Sequence, residues 1–376
     1  MINDINLVID TIAYFQKFGG ITRMFNELIP RLLLLHPSLH LTFFQGKRIK
    51  QPLPVTSASQ IINVTWVEKI FRPWRIWHQY YPSIKAAIGR LSLGQTKDQI
   101  WHSTYFTELD GWKGKQVVTV YDLAYPRFKN FFSDARSEEV RRQMSASIQH
   151  ADVVICISDS TQKELLRFYP DTPYNKLRVV YPGRSEKFRV LSPDKNSQFN
   201  DISSPFILFV GKRKNYKNFK RLIDSFSRWK NNNETHLVVV GPDWSAQELN
   251  EYGSKPWFKN IHHLGYISDE FLVQLYNQAS ALVWPSFYEG FGLPLLEAMS
   301  CRCPIIAARM PVNFEIAGDV PFYFDADSTN ELIFMLEQAI NIESSDSRLT
   351  AGEKRAHQFS WDNAAKEMLK IYRELI

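Results

Sequence analysis

A chain of 376 residues is larger than a single hydrophobic core usually grows, so two domains are the default expectation. At 44% hydrophobic and 14% aromatic, with no low-complexity run, the composition is that of a globular protein. The net charge of +6 suits phosphate-bearing ligands or an anionic membrane surface, but the basic residues are spread out and form no nucleic-acid-binding pattern, so nucleic acid is not an expected partner.

The opening stretch MINDINLVID carries Asp4 and no basic run, which does not describe a secretory signal. No apolar run approaches the ~20 residues of a membrane span. Even LIPRLLLLHP is short and broken by Arg31. Cys156, Cys301 and Cys303 have neither zinc nor redox-pair spacing and read as reduced core thiols. The expected location is cytoplasmic, with peripheral contact at the inner face of the membrane left open.

Short apolar runs alternate with amphipathic stretches, the pattern of parallel α/β architecture. In the first half the expected strands are INLVID (5–10), LTFF (41–44), QVVTVYD (116–122), DVVICI (152–157) and LRVVY (177–181). Ile21, Met24, Phe25, Leu28, Ile29 and Leu32 fall at helical spacing, and Pro30 is expected to kink or shorten that helix. Thr161 and Glu164 sit at capping-box spacing for a helix through Phe168. The stretch from Arg184 to Ser204 turns polar and reads as an interdomain linker. Strand-like runs then resume with FILFV (206–210), HLVVV (236–240), His262 to Tyr266, ALVWP (281–285) and PIIAA (304–308). Two α/β units joined by a linker imply a cleft between them. In the last segment Ala365, Met368, Leu369, Tyr372 and Leu375 share one helical stripe.

The stretch WPSFYEGFGLPLLEAM (284–299) holds Glu289 and Glu297 around a glycine-interrupted turn that runs into an apolar helix. Glycines let the backbone approach a ligand, and the following helix N-terminus aims free N–H groups and positive dipole at the same place. An anion or polyhydroxyl site is the expectation. The basic run GKRKNYKNFKR (211–221) follows the strand FILFV and opens a helix, a reasonable diphosphate grip. Not all of its cations can touch one ligand, and most read as a solvated face. Gly19-Gly20 after the first strand is either a ligand approach or an ordinary tight turn.

Other features read as structural. Asp325-Ala326-Asp327 follows FYF and precedes Ser-Thr-Asn, a strand-to-helix turn with capping residues and not a metal motif. The segment FRPWRIWHQYYPSIK (71–85) is an amphipathic helix with inward tryptophans, or a membrane contact. His102 reads as structural. No G-x-S-x-G, Walker loop or H-E-x-x-H occurs, which leaves hydrolase-triad, NTPase and zincin readings without support.

Taken together, PSFYEGFGLPLLEAM, FILFVGKRKNYKNFKRLIDSF, LGYISDEFLVQLYNQAS, NFEIAGD and the terminal FSWDNAAKEMLKIYREL are similar to the retaining GT-B glycosyltransferases of family 4, or glycosyltransferase group 1. The resemblance is strongest across 206–320, and bacterial mannosyltransferases of the family look alike. It implies two Rossmann-like domains facing across a cleft. Residues 1–190, with a returning helix at 361–376, would form the acceptor side, and 205–360 would bind the nucleotide sugar. Position by position it implies that Arg213 and Lys217 neutralise the donor's diphosphate. Glu297 would accept from the ribose hydroxyls. Glu289 would contact the transferred sugar, with help from Gly290 and the backbone amides of Phe291, Gly292 and Leu293. Gly20 would approach the diphosphate, and the base would lie near Tyr266 and Ile267. On this basis Glu289, Arg213 and Lys217 are the expected catalytic residues, and neither a metal nor a separate cofactor is implied.

One departure concerns the acceptor side. Many relatives carry His-Asp after the strand VVTV, where this chain has Tyr121-Asp122. Tyr121 would replace the histidine as a hydrogen-bond donor but cannot act as a base near neutral pH. The resulting expectation is a retaining hexosyltransferase acting on a saccharide, a lipid-linked sugar or a small glycoside, with GDP-mannose as donor and UDP-glucose as its rival. A sugar-nucleotide-binding protein without catalysis, and a module binding nucleic acid or membrane through its basic runs, are the competing classes.

Overall fold

Strands form where β-branched and aromatic residues run together, and over much of the described chain they alternate with helices that bury an apolar stripe. The computed structural model describes residues 4–15, 19–57, 59–66, 87–89, 91–94, 97–108, 111–192, 205–213 and 215–376. The chain divides into two compact units, one of Met1–Gly183 with Trp361–Ile376 and one of Arg184–Ser360. The aromatic-basic segment 71–85 lies outside the described residues.

In the first unit the elements run β1 (Ile5–Asp10), α1 (Gly20–Leu35), β2 (Leu39–Gln45), β3 (Ser59–Asn63), β4 (Gln99–Ser103), β5 (Lys115–Val120), α2 (Ala124–Arg127), α3 (Ala135–His150), β6 (Val153–Cys156), α4 (Asp159–Phe168) and β7 (Leu177–Val179). The strands form a parallel sheet in the order β3-β2-β1-β4-β5-β6-β7. β3 and β4 were absent from the sequence-based expectation. SQIIN is an edge strand exposed at three of its five positions, and QIWHS lacks an aliphatic run although four of its five residues are buried.

Of the two effects expected of Pro30, shortening does not occur, and the expected cap of α4 is corrected. Pro30 lies inside α1 without shortening it: Pro30 and Asn26 are both exposed, so the carbonyl deprived of its N–H partner is on the water side, while Met24, Phe25, Leu28, Ile29 and Leu32 stay buried. The cap of α4 is Ser158, whose hydroxyl accepts from Thr161 N at 2.9 Å, so Thr161 is the third helical residue.

The second unit contains β8 (Phe206–Val210), α5 (Phe219–Arg228), β9 (His236–Val240), α6 (Ala246–Tyr252), β10 (Ile261–His263), α7 (Asp269–Gln278), β11 (Ala281–Trp284), α8 (Leu293–Ser300), β12 (Ile305–Ala308), α9 (Pro311–Ala317), β13 (Phe322–Phe324), α10 (Thr329–Ile340) and α11 (Ser347–Ala356). Its sheet is parallel in the order β10-β9-β8-β11-β12-β13. The order reverses beside β8, between β9 and β11, and open α/β sheets bind ligands at the strand C-termini around such a reversal.

The polar stretch 184–204 divides. Its described part belongs to the second unit: Phe188 is fully buried against Tyr276, and Leu191 N donates to Asn277 Oδ1 at 2.8 Å. Residues 193–204 lie outside the described residues. The terminal helix α12 (Trp361–Glu374) belongs to the first unit, burying Trp361, Ala364, Ala365, Met368, Leu369, Ile371 and Tyr372 and packing on α1. The three cysteines are free and buried, and burial pushes the Cys156 and Cys303 thiols up to about 12. Among the described residues no helix is long and apolar enough to cross a membrane.

Candidate functional site

In the second unit β11 delivers the chain to its C-terminal edge at Trp284, and the turn 285–292 leads into α8. Gly292, the residue before α8, has φ +106, a region that strains any L side chain, and a Cβ there would stand 3.2 Å from Leu295 Cδ1. Its carbonyl accepts from Leu295 N at 2.9 Å. The turn therefore brings the Leu293 amide, at the positive end of α8, beside Gly290 and Phe291, while Pro294 has no N–H and Leu295 N is taken by Gly292 O.

A second segment joins the turn from β8. A short 3-10 turn, Asn215–Lys217, precedes α5, and its Tyr216 carbonyl accepts from Phe287 N at 2.8 Å. That bond brings Lys217 to Glu289. The ammonium donates to both carboxylate oxygens, at 2.7 and 2.6 Å, and Ser286 Oγ donates to Oε1 at 2.7 Å. The side chains are only 17% and 9% exposed, so the charges are paired in a largely dry environment. Lys217 Nζ also lies 5.2 Å from the centroid of the Trp284 ring.

Glu297 is the fifth residue of α8 and is buried. Tyr276 Oη donates to its Oε2 at 3.0 Å. Burial, reinforced by the Glu297 charge, holds the Tyr276 hydroxyl well above its ordinary range, so it stays a donor to that carboxylate.

Arg213 is not brought to this cluster. Its Nε and Nη2 donate to Glu248 at 2.7 and 3.2 Å, Nη1 to Pro242 O at 2.7 Å and Nη2 to Asp243 O at 2.8 Å. The guanidinium covers the Trp244 ring at 4.3 Å. The rest of the basic run also divides: Lys220 reaches Glu251 at 3.7 Å, and Arg221 donates to Thr329 Oγ1 at 2.8 Å. Tyr266, exposed, and Ile267 follow Gly265, whose φ of +65 turns the chain away from the end of β10.

Asp325-Ala326-Asp327 forms the expected strand-to-helix turn. Asp327 N donates to Asp325 Oδ1 at 2.9 Å, and Ser328 caps α10. Asn218, held at φ +54, donates to Ala326 O at 2.8 Å and ties the start of α5 to this turn.

In the first unit the corresponding strand ends carry a closed polar network. Asp10 accepts from Ile12 N at 2.9 Å, Thr104 N at 2.8 Å and the hydroxyls of Thr104 and Thr107. His102 is bracketed by Tyr372 Oη at 2.5 Å and Thr119 Oγ1 at 2.8 Å. Burial pulls it down to about 3, so its ring is neutral at physiological pH. Tyr121 is nine-tenths buried, and its hydroxyl makes no hydrogen bond of ordinary geometry; Thr119, a weak influence on it, is engaged by His102. Burial, then the Asp10 charge, keep the phenol protonated. Asp122 Oδ1 accepts from Ala124 N at 2.9 Å, and Gly20 is the exposed first residue of α1.

Sequence reasoning missed Ser286, Glu248 and Tyr276. Ser286 had a signal, since three residues before Glu289 in a tight turn is hydrogen-bonding distance. Glu248 and Tyr276 meet their partners only through sheet topology.

The family model "Glycosyl transferases group 1" matches residues 193–356. The O-antigen chain mannosyltransferase B of Escherichia coli is 25% identical over 370 residues, covering 95% of this chain and 96% of that protein. Among solved structures, sucrose-phosphate synthase from Thermosynechococcus elongatus superposes with TM-score 0.77 at 18% identity, covering 99% of both chains. Anabaena HepE, in complex with UDP and glucose, gives TM-score 0.72 at 14% identity, covering 99% of this chain and 100% of that one. The chain thus carries a glycosyl transferases group 1 domain and has the GT-B fold.

Proposed function

We propose that the chain transfers a hexose-type sugar from a nucleotide-diphosphate sugar to an acceptor hydroxyl, with retention of anomeric configuration, in polysaccharide or glycoconjugate biosynthesis. The observation that carries this reading is the Lys217–Glu289–Ser286 cluster at the turn that opens α8. Departure of a nucleoside diphosphate builds negative charge on phosphate oxygens, and an ammonium with a helix N-terminus is suited to receive it. A phosphate oxygen takes one of the Lys217 contacts now made to Glu289, and the released carboxylate oxygen accepts from a sugar hydroxyl. Glu297 accepts from the ribose hydroxyls, and the base lies toward Tyr266 and Ile267.

In the proposed reaction the acceptor oxygen bonds to the anomeric carbon on the face from which the phosphate oxygen leaves. The acceptor's proton passes to that leaving oxygen. No acid–nucleophile carboxylate pair is required. Glu289, with both oxygens engaged by Lys217, fits recognition better than nucleophilic attack.

GDP-mannose is the proposed donor and a growing polysaccharide the proposed acceptor, because the Escherichia coli relative is named an O-antigen chain mannosyltransferase. UDP-glucose is the rival donor, since HepE holds UDP and glucose. The test is turnover of a nucleotide-sugar panel by wild type and Glu289→Gln. Transfer by wild type with a large loss in the variant supports the reading, and equal activity of the two removes Glu289 from the site. Tight binding of a nucleotide sugar by wild type without transfer or donor hydrolysis across many acceptors means a binding protein instead.

A further inference from the structure

We infer that Arg213 and Glu248 form a positioning clamp for the loop 241–246 beside the nucleoside end of the donor, leaving the diphosphate charge to Lys217 and the α8 N-terminus; this rests on the donor-site reading above.

Arg213 has its hydrogen-bonding capacity largely spent. Its four donated bonds go to Glu248 and to the carbonyls of Pro242 and Asp243, and its side chain is 3% exposed. Trp244 lies under the guanidinium and packs against Phe219, Tyr252, Phe258 and His263. Glu248 is equally committed: Oε2 also accepts from Ser245 N at 2.8 Å while Ser245 Oγ accepts from Glu248 N, a capping box that starts α6. Turning Arg213 toward a phosphate would break a forked ion pair, two carbonyl bonds and a cation–π contact together, and would leave Glu248 as an acid near the donor's charge. Lys217, by contrast, exchanges one flexible contact for another.

The loop is held from its other side as well. His263 Nε2 lies 2.9 Å from Pro242 O and 3.2 Å from Gly241 O. Gly241 has φ +156, and a Cβ on it would fall 2.2 Å from Gly211 O, so the ends of β8 and β9 touch backbone to backbone. Gly241 N then donates to Gly265 O at 3.0 Å, linking the loop to the segment that carries Tyr266 and Ile267. Arg213 thereby fixes the wall next to the proposed base seat, and it influences the donor through that wall.

The discriminating experiment is calorimetric titration of the full chain with GMP, GDP, UMP and UDP, for wild type, Arg213→Gln, Glu248→Gln and Lys217→Met. The clamp predicts that Arg213→Gln and Glu248→Gln each weaken mono- and diphosphate together, by about three- to tenfold, with the ratio between them unchanged. Lys217→Met should instead weaken the diphosphate selectively. Loss of diphosphate preference in Arg213→Gln, tighter diphosphate binding by Glu248→Gln, or no change in either variant would overturn the clamp. Glu248→Gln keeps a neutral acceptor, so it carries the test if Arg213→Gln does not fold. A wild type that binds no nucleotide ends the donor reading and the clamp together, a result separable from the others.

Discussion

The two sheets of this chain end in carboxylates held in different ways. At the end of β1, Asp10 is surrounded by fixed neutral donors, two backbone amides and two threonine hydroxyls, and burial pushes its carboxyl up against their pull. His102 in the same unit is bracketed on both ring nitrogens. After β11, Glu289 is held by the ammonium of Lys217 on a four-carbon stem and by one serine. A carboxylate saturated by rigid donors is structural, because any ligand must first break several bonds that nothing replaces. One held by a mobile cation can trade that contact for a ligand's. The same parallel architecture thus closes its polar groups into scaffold in one unit and leaves an exchangeable pair in the other.

The largest expected effect breaks the exchangeable pair. Glu289→Gln should lower kcat/KM for transfer from a nucleotide sugar by about a hundredfold or more, the scale for removing one preorganised electrostatic contact. Steady-state rates with saturating acceptor measure it, and near-wild-type turnover would erase the contrast with Asp10. Next comes the closed network. His102→Gln should cost about 3 kcal/mol of stability at pH 7, read from urea midpoints, because it leaves buried hydroxyls unpaired. The same variant gives a pH test. His102 titrates at about 3 in the fold against an ordinary 6.5, so the unfolded chain binds the extra proton between those values. Its contribution is present above about 6.5 and is lost as pH falls toward 3, at about 1.4 kcal/mol per unit. Subtracting the variant's profile from wild type should isolate that slope, and parallel profiles would mean that His102 does not stay neutral.

A smaller effect is expected at the turn itself. Gly292→Ala should destabilise by about 1–2 kcal/mol, since alanine at this positive φ is strained and its methyl meets Leu295. It should also weaken nucleotide binding by displacing the Leu293 amide, and unchanged binding would show that this amide plays no part. Smallest is Asp362→Ala, which removes one of the two carboxylate partners of Arg31, at 2.7 Å with Asp362 two-thirds exposed, and leaves Glu27. Less than about 1 kcal/mol is expected in thermal unfolding.

The β-rich alternation was readable where runs were aliphatic, as in FILFV and HLVVV, whose strands match residue for residue. It failed at QIWHS, where a tryptophan and a histidine take core positions because their polar atoms find partners outside the strand, Trp101 at the Thr107 carbonyl in the following loop and His102 at Tyr372 near the other end of the chain. Local periodicity carries no information about such partners. Likewise, Glu289 and Glu297 around the EGFGLP turn and the Gly19-Gly20 pair after the first strand were visible as motifs, because turn chemistry is local. The state of Arg213 was not visible: its carboxylate partner is 35 residues away and is brought close by the pairing of β8 with β9. A cation in a basic run looks like a phosphate ligand until the fold supplies an acid to meet it.

Hydrogen exchange of the full chain, with and without GDP and UDP, tests the central claim most directly. If the Lys217–Glu289 turn receives the donor's diphosphate, the amides of 286–297 should slow on nucleotide binding while those beside Asp10 and His102 remain as they were. A nucleotide that is bound or turned over while 286–297 exchange unchanged would contradict it.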